Sequence, residues 1–171
     1  MPEVTELPYP SQPVVETWLA GFLARSGAAA GSVYLARSAD ELVLVAACNL
    51  PESILAAAAI VPAGKGLAGI AAQRREPVVT TDLQTDDSGC VRPGALASRT
   101  RGSVTMPVFA ESGALAAVVG LGFPDVREFT EAEIAGFLAE AEEVRALGVQ
   151  PGSRSSANTA WWSEPGTRNT R

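Results

Sequence analysis

Few side chains in this sequence could carry out chemistry, and histidine is missing altogether. Without histidine the chain has no Ser-His-Asp triad, no Cys-His pair, no histidine-ligated haem and no histidine-containing zinc site. The two cysteines are too few for a zinc site built from thiolates alone. We therefore expect no metal and no cofactor, although an unknown small-molecule ligand is compatible with the composition.

The two thiols lie in different surroundings. Cys48 belongs to an apolar, β-prone run, where a buried and unreactive thiol is the commoner state. Cys90 lies in residues 81–100, a stretch without helical or strand periodicity, where an exposed thiol could act as a sensor. Since no histidine is present to lower its pKa, a reactive Cys90 is the less favoured interpretation.

Polar side chains gather at both ends of that stretch. Asp82 stands near its start, and Arg101 follows its end, with Ser103 and Thr105 at alternate positions beyond. One interpretation is a set of solvated loop charges joined by weak ion pairs. The other is that Arg101, Ser103 and Thr105 present hydrogen-bond donors to a carboxylate or other polar group of a ligand. Both interpretations stay open at this level.

Hydrophobic periodicity predicts the elements that must position these residues. Apolar residues recur at helical spacing over 12–26 and over 130–147, and the second run begins with the capping-box pair Thr130 and Glu133. Shorter helices are predicted after Pro51 and at 66–75. The β-prone runs are residues 32–36, 42–48, 59–61, 77–80, 102–109 and 114–123. The last run is apolar on both faces, which indicates a central strand.

Composition restricts the compartment and the partners. Two cysteines do not make a secreted disulfide framework, so the cytoplasm is the expected location. The start of the chain has no signal-peptide pattern, and no apolar run is long enough to span a bilayer, so no membrane association is expected. The net charge of −6 disfavours binding to nucleic acid.

A glycine-rich segment, residues 64–69, formally fits the dinucleotide-binding pattern GxGxxG. That pattern binds a pyrophosphate only in the first turn of a βαβ unit with an acidic residue about 20 positions further on. Here Pro62 interrupts the approach, and the flanking strands suggest an antiparallel sheet. The favoured interpretation is a tight turn that opens a short helix beside a pocket.

Four landmarks in order carry a resemblance to a known family. They are the segments 63–72, 76–82, 101–108 and 129–133, which read AGKGLAGIAA, EPVVTTD, RGSVTMPV and FTEAE. Together they resemble the GAF domain family over about residues 14–147. The resemblance implies an α+β fold of the GAF/PAS type, with a central antiparallel sheet of five or six strands. It also implies that the N- and C-terminal helices pack on one face and that a ligand pocket lies on the other.

One branch of this family is enzymatic, the free methionine-(R)-sulfoxide reductases. Their chemistry needs a thiolate nucleophile and a resolving thiol over the pocket. The positions that match that branch's cysteines are occupied here by Ala68 and, near the nucleophile, by Leu96. Cys90 lies a few residues earlier, and it could serve as the nucleophile only if the loop were shifted. The Asn-Lys signature of cyclic-nucleotide-binding GAF domains is absent as well, because Lys65 is the sole lysine.

The sequence thus predicts a flexible leader over 1–11, a GAF domain over 12–148 and a disordered polar tail over 149–171 that contains Trp161 and Trp162. The predicted function is a non-catalytic, small-molecule-sensing module that acts in trans on a protein partner, with homodimerisation through 12–26 and 130–147. The alternative is a divergent reductase that uses Cys90. The candidate ligand-binding residues are Cys48, Leu67, Ala68, Asp82, Cys90, Leu96, Arg101, Ser103 and Thr105.

Overall fold

Strands and helices occur in the order that the periodicity predicts. The computed structural model describes residues 7–86 and 99–149. The helices are α1 (Pro13–Ser26), α2 (Glu52–Ala57), α3 (Gly66–Arg74) and α4 (Glu131–Ala141), and the strands are β1 (Ala30–Ser38), β2 (Glu41–Cys48), β3 (Ile60–Pro62), β4 (Val78–Thr80), β5 (Ser103–Phe109) and β6 (Leu115–Gly122). None of the helices in these two ranges is long and apolar enough to cross a bilayer. Predictions that concern Cys90, Leu96 and the tail tryptophans fall outside the described residues.

The described strands form one sheet in the order β3-β2-β1-β6-β5-β4. Every neighbouring pair is antiparallel. The centre of the sheet is the pair β1 and β6, in which Val33 lies opposite Val119. This arrangement confirms the predicted α+β fold with an antiparallel sheet, and it places the doubly apolar strand β6 away from the edges.

The first and last helices pack together on one face of the sheet. Their buried side chains share one core with the inward residues of β1, β5 and β6, among them Leu19, Phe22, Met106 and Val119. Across the helix pair, Arg25 forms an ion pair with Glu140. The predicted long C-terminal helix ends earlier than expected, because after Ala141 the chain tightens into a 3₁₀ helix, Glu142–Leu147, as last turns often do.

The start of α4 is fixed by the predicted capping box. Thr130 Oγ1 accepts from the Glu133 amide, and the Glu133 carboxylate accepts from the Thr130 amide. The same carboxylate pairs with Arg127, whose hydrogen bond is the main cause that lowers the pKa of Glu133. The Arg127 guanidinium also lies 4.3 Å from the ring centroid of Phe123 and 4.9 Å from that of Phe129. This cluster ties the segment before α4 to the sheet.

Residues 7–11, which belong to the predicted flexible leader over 1–11, lie against the folded domain in the structure. Tyr9 is buried on the opposite face of the sheet from α1, in the cluster that contains Leu44 and Val61. Its hydroxyl donates to Glu16 at 2.7 Å, and the Gln12 amide donates to the carbonyl oxygen of Val45 at 2.9 Å. Sequence periodicity could not reveal this contact, because one buried aromatic residue in an extended segment has no period.

The Tyr9 contact predicts a dependence of stability on alkaline pH. Burial, followed by the hydrogen bond to Glu16, raises the pKa of the Tyr9 phenol above its ordinary value of 10.0. Above that pH the unfolded chain releases the proton while the folded chain retains it, so this contribution is present below about pH 10 and is lost as the pH rises. Urea denaturation measures the free energy of unfolding at several pH values between about 9 and 11. This free energy should fall with pH more steeply in the wild-type protein than in Tyr9→Phe, by up to about 1.4 kcal/mol per pH unit. Identical slopes would contradict this assignment.

Candidate ligand-binding site

On the face of the sheet opposite the α1–α4 pair, part of the surface carries small and hydroxyl side chains beside the apolar cluster that contains Leu44 and Val61. Along β5, Ser103 and Thr105 alternate with residues of the helix-side core. Their partners in β6 are Gly122 and Gly120, and Gly120 is also opposite Ser32 of β1. The three central strands therefore present a floor of serine, threonine and glycine, which leaves space above the sheet.

Glycine is required on this floor by close contacts. A Cβ atom at Gly120 would lie 3.0 Å from Ser32 Oγ, and one at Gly122 would lie 2.9 Å from Thr100 Cγ2. Glycine inside a strand weakens the strand and usually marks a close approach of other groups. Here the two glycines leave room beside the β6 backbone for the side chains of Ser32 in β1 and of Thr100 before β5.

A cavity of about 480 Å³ lies between this floor and the two short helices. Its volume is within the range of small-molecule sites, roughly 300–1,000 Å³. The walls are mostly apolar, and the side chains of α2 and α3 that reach it are small or aliphatic. The aliphatic residues of the walls include Leu50, Ile54, Val61, Leu67, Ala68 and Leu83.

The glycine-rich segment forms the turn that opens α3 at the rim of this cavity. Gly64 and Gly66 have φ values of 83° and 63°, a region that favours glycine. The Gly64 amide donates to the carbonyl oxygen of Gly69 at 2.8 Å, which closes the turn. The sheet beside it is antiparallel, so the segment does not stand in a βαβ unit. The turn interpretation agrees with this geometry, and Lys65 and the first turn of α3 border the cavity.

Four of the candidate ligand-binding residues line the cavity: Leu67, Ala68, Ser103 and Thr105. The hydroxyl of Ser103 is notable among them. The residue is only 4% exposed, and its Oγ has no hydrogen-bond partner among the residues that the structure describes. A buried hydroxyl without a partner costs about 1–3 kcal/mol, so native structures rarely leave one unless something else binds to it.

The expectation that Cys48 belongs to the ligand site is corrected by the structure. Cys48 packs against the helix-side core, on the other face of the sheet from the cavity. The cause is a bulge: Val33 pairs with Ala46 but Tyr34 pairs with Leu44, which leaves Val45 without a partner. This extra residue in β2 reverses the face of the sheet to which each later side chain of the strand points. Burial, and then the charge of Glu16, raise the pKa of the Cys48 thiol, which disfavours the nucleophilic thiolate.

Asp82 and Arg101 pair with each other and do not line the described cavity. Arg101 Nη1 lies 3.1 Å from Asp82 Oδ2, and the arginine side chain is 46% exposed. Asp82 also accepts hydrogen bonds from the Gln84 amide and the Thr85 hydroxyl, so its carboxylate stabilises the turn that follows β4. The two residues, predicted as ligand-binding, thus lie outside the described cavity, and their contact agrees with the ion-pair interpretation. Cys90 and Leu96 lie outside the described residues.

Several lining residues were missed by the sequence analysis: Ser32, Tyr34, Leu50, Ile54, Thr100, Gly120 and Gly122. Two local signals were available. Ser32 interrupts an apolar strand, and Gly120 and Gly122 are spaced by two in a strand interior, which places them on one face. Neither signal shows which face of the sheet is covered, so the site could not be assembled from them alone.

An antiparallel sheet with terminal helices on one face and a cavity under short helices on the other defines a GAF-type domain. A family model described as GAF domain matches residues 14–141, and the chain belongs to that family. No curated protein sequence matches the chain significantly.

Solved structures agree in fold at low sequence identity. The GAF domain of a phosphoenolpyruvate-protein phosphotransferase from Coxiella burnetii is 21% identical, with a TM-score of 0.60 over 85% of this chain and 88% of that one. The type II free methionine-R-sulfoxide reductase of Thermoplasma acidophilum is 14% identical, with a TM-score of 0.63 over 83% and 94%. A domain assigned to a two-component sensor histidine kinase protein of Sinorhizobium meliloti 1021 is 18% identical, with a TM-score of 0.58 over 77% and 86%. Sensory and catalytic proteins thus share this fold.

Proposed function

We propose that this GAF domain is a non-catalytic module that binds a small molecule and regulates a protein partner. The observation that carries the proposal is the cavity with a buried, unpartnered hydroxyl of Ser103 on its floor. A cavity of this size, with apolar walls and few polar groups, is the usual form of a small-molecule site. Its location on the face opposite the paired helices leaves those helices available for a second role.

The chemistry of the described lining supports binding without catalysis. A reductase of the family's enzymatic branch needs a nucleophilic thiol and a resolving thiol at the pocket. In residues 7–86 and 99–149 the single thiol is Cys48, which lies on the helix side. The lining hydroxyls have no histidine beside them to act as a base, since the chain contains none.

The terminal helices are the proposed route from ligand to partner. The core beneath α1 and α4 includes Met106 and Val119 of strands β5 and β6, and the opposite face of these strands is the cavity floor. A ligand that shifts this floor would therefore act on the helix pair through one layer of side chains. We propose that residues 12–26 and 130–147 contact a protein partner in trans or a second copy of the chain.

Native mass spectrometry of the full-length chain purified from its own host tests whether the cavity holds a small molecule. We expect a non-covalent adduct that disappears under denaturing conditions. Gly120→Val should abolish the adduct, because its side chain would occupy the floor beside Ser32. The matched control is Ala116→Val in the same strand, which lies outside the lining and should retain the adduct. An adduct-free native protein whose melting temperature no member of a small-molecule library raises would contradict the proposal.

The reductase alternative has its own test. The full-length chain is incubated with free methionine-(R)-sulfoxide and dithiothreitol, and the expected result is no turnover above the rate without protein. Turnover that is lost in Cys90→Ala but retained in Cys48→Ala would replace the sensory proposal with the enzymatic one. The paired variants separate a catalytic thiol from the half-buried thiol on the helix side.

A further inference from the structure

The charge of the cavity lining distinguishes between classes of ligand. Among its described residues, Lys65 is the one charged side chain, and aspartate and glutamate are absent. A ligand ammonium would enter an apolar site without a counter-charge, which is costly in a low-dielectric environment. An anionic group would instead find a cation at the rim. The described lining therefore favours anions over cations and zwitterions.

The first turn of α3 provides backbone hydrogen-bond donors at the same rim as Lys65. The Gly69 amide donates to the carbonyl oxygen of Lys65 at 3.2 Å, and Lys65, the residue before the helix, makes no side-chain cap. The preceding amides, of Gly66, Leu67 and Ala68, are first-turn donors without a helical acceptor, and all three residues line the cavity. Free amides and the positive end of the helix dipole together favour an anion at this rim.

Ser103 supplies the second, independent observation. Ser103 lines the same cavity from strand β5 of the floor rather than from α3, and its buried Oγ has no hydrogen-bond partner among the described residues. A serine hydroxyl both donates and accepts, so it can pair with a ligand oxygen. The lining also contains the apolar side chains Leu50, Ile54, Val61, Leu67 and Leu83. The cavity therefore combines polar groups at its rim and floor with aliphatic walls.

We infer that the ligand is a small organic acid with an apolar body, one anionic group at Lys65 and the α3 amides, an oxygen that pairs with Ser103, and no ammonium group. This inference rests on the proposed function and specifies the ligand class of the same cavity. Amino acids, including methionine sulfoxide, are excluded as the ligand by this inference, because their ammonium group has no acidic partner among the described lining residues.

Isothermal titration calorimetry of the full-length chain with octanoate, 2-aminooctanoate and 1-octanol tests the charge preference. These probes share one chain length and differ in charge. Octanoate should bind about tenfold or more tightly than 2-aminooctanoate, the equivalent of about 1.4 kcal/mol. Lys65→Met should weaken octanoate about fivefold and leave 1-octanol unchanged, whereas Arg74→Met, at the other end of α3 and outside the lining, should change neither.

Ser103→Ala tests whether the Ser103 hydroxyl on the cavity floor pairs with the ligand. Removal of an unpartnered buried hydroxyl should raise the melting temperature of the ligand-free protein, while the affinity for 8-hydroxyoctanoate, whose hydroxyl lies at the far end of the chain from the carboxylate, falls relative to that for octanoate. A lowered melting temperature would show a structural role for Ser103 and overturn its assignment to the ligand. Equal binding of octanoate and 2-aminooctanoate, or tighter binding of 1-octanol, would overturn the acid class while the cavity remained a binding site. If none of the probes binds, the molecule that co-purifies with the protein decides the test. A co-purified molecule that carries an ammonium group would overturn the acid class, and a co-purified acid supports it.

Discussion

Phe22→Ala is expected to destabilise the protein by about 3–5 kcal/mol, the range for the loss of a fully buried phenylalanine. Phe22 is 0% exposed and is among the largest side chains of the core that joins α1 to the sheet. Its ring centroid lies 5.3 Å from that of Trp18, so the change also removes an aromatic contact. Urea denaturation followed by circular dichroism measures the free energy of unfolding.

The matched control for Phe22→Ala lies in the same helix. Val14 is 47% exposed, so Val14→Ala should change the free energy of unfolding by no more than about 0.5 kcal/mol. Since alanine has a higher helix propensity than phenylalanine and valine, propensity cannot cause a loss, and similar losses in the two variants would contradict the burial of Phe22. A loss below about 1 kcal/mol for Phe22→Ala would show that α1 does not pack on the sheet in solution as the structure describes.

Gly69→Ala is expected to have the second large effect. A Cβ atom at Gly69 would lie 2.4 Å from the carbonyl oxygen of Pro62, so α3 would have to move away from β3. Overpacking of this kind costs about 1–3 kcal/mol, against a gain of about 0.8–1.0 kcal/mol from the better helix propensity of alanine. We expect a net loss of stability and, because the first turn of α3 borders the cavity, weaker binding of the octanoate probe.

Gly136→Ala gives the same chemical change without the clash. Gly136 lies inside α4, and a Cβ atom there would meet nothing within 4 Å. This variant should gain about 0.4–1 kcal/mol, because alanine restricts the unfolded chain. Chemical denaturation of the two variants should therefore give shifts of opposite sign. Shifts of the same sign would contradict the close packing of α3 on β3.

Local patterns determined most of the secondary structure of this protein. The helical spacing of Val15, Leu19 and Phe22 predicts α1, and the pair Thr130 and Glu133 predicts the start of α4 to the residue. These features depend on neighbours within a few positions, where periodicity and capping act. The absence of histidine, a property of composition alone, excludes whole classes of catalytic mechanism without any coordinates.

The tertiary structure alone decided which of these residues share a site. The bulge at Val45 sends Cys48 to the helix side, although uninterrupted alternation from Leu44 would have placed it on the cavity side. The pairing of Asp82 with Arg101 joins residues from the two ends of a long connection. Strand register and long-range contacts depend on interactions across the whole sheet, so the local sequence does not encode them. The hydroxyl face that forms the cavity floor, and the orphaned Ser103 on it, follow from that register.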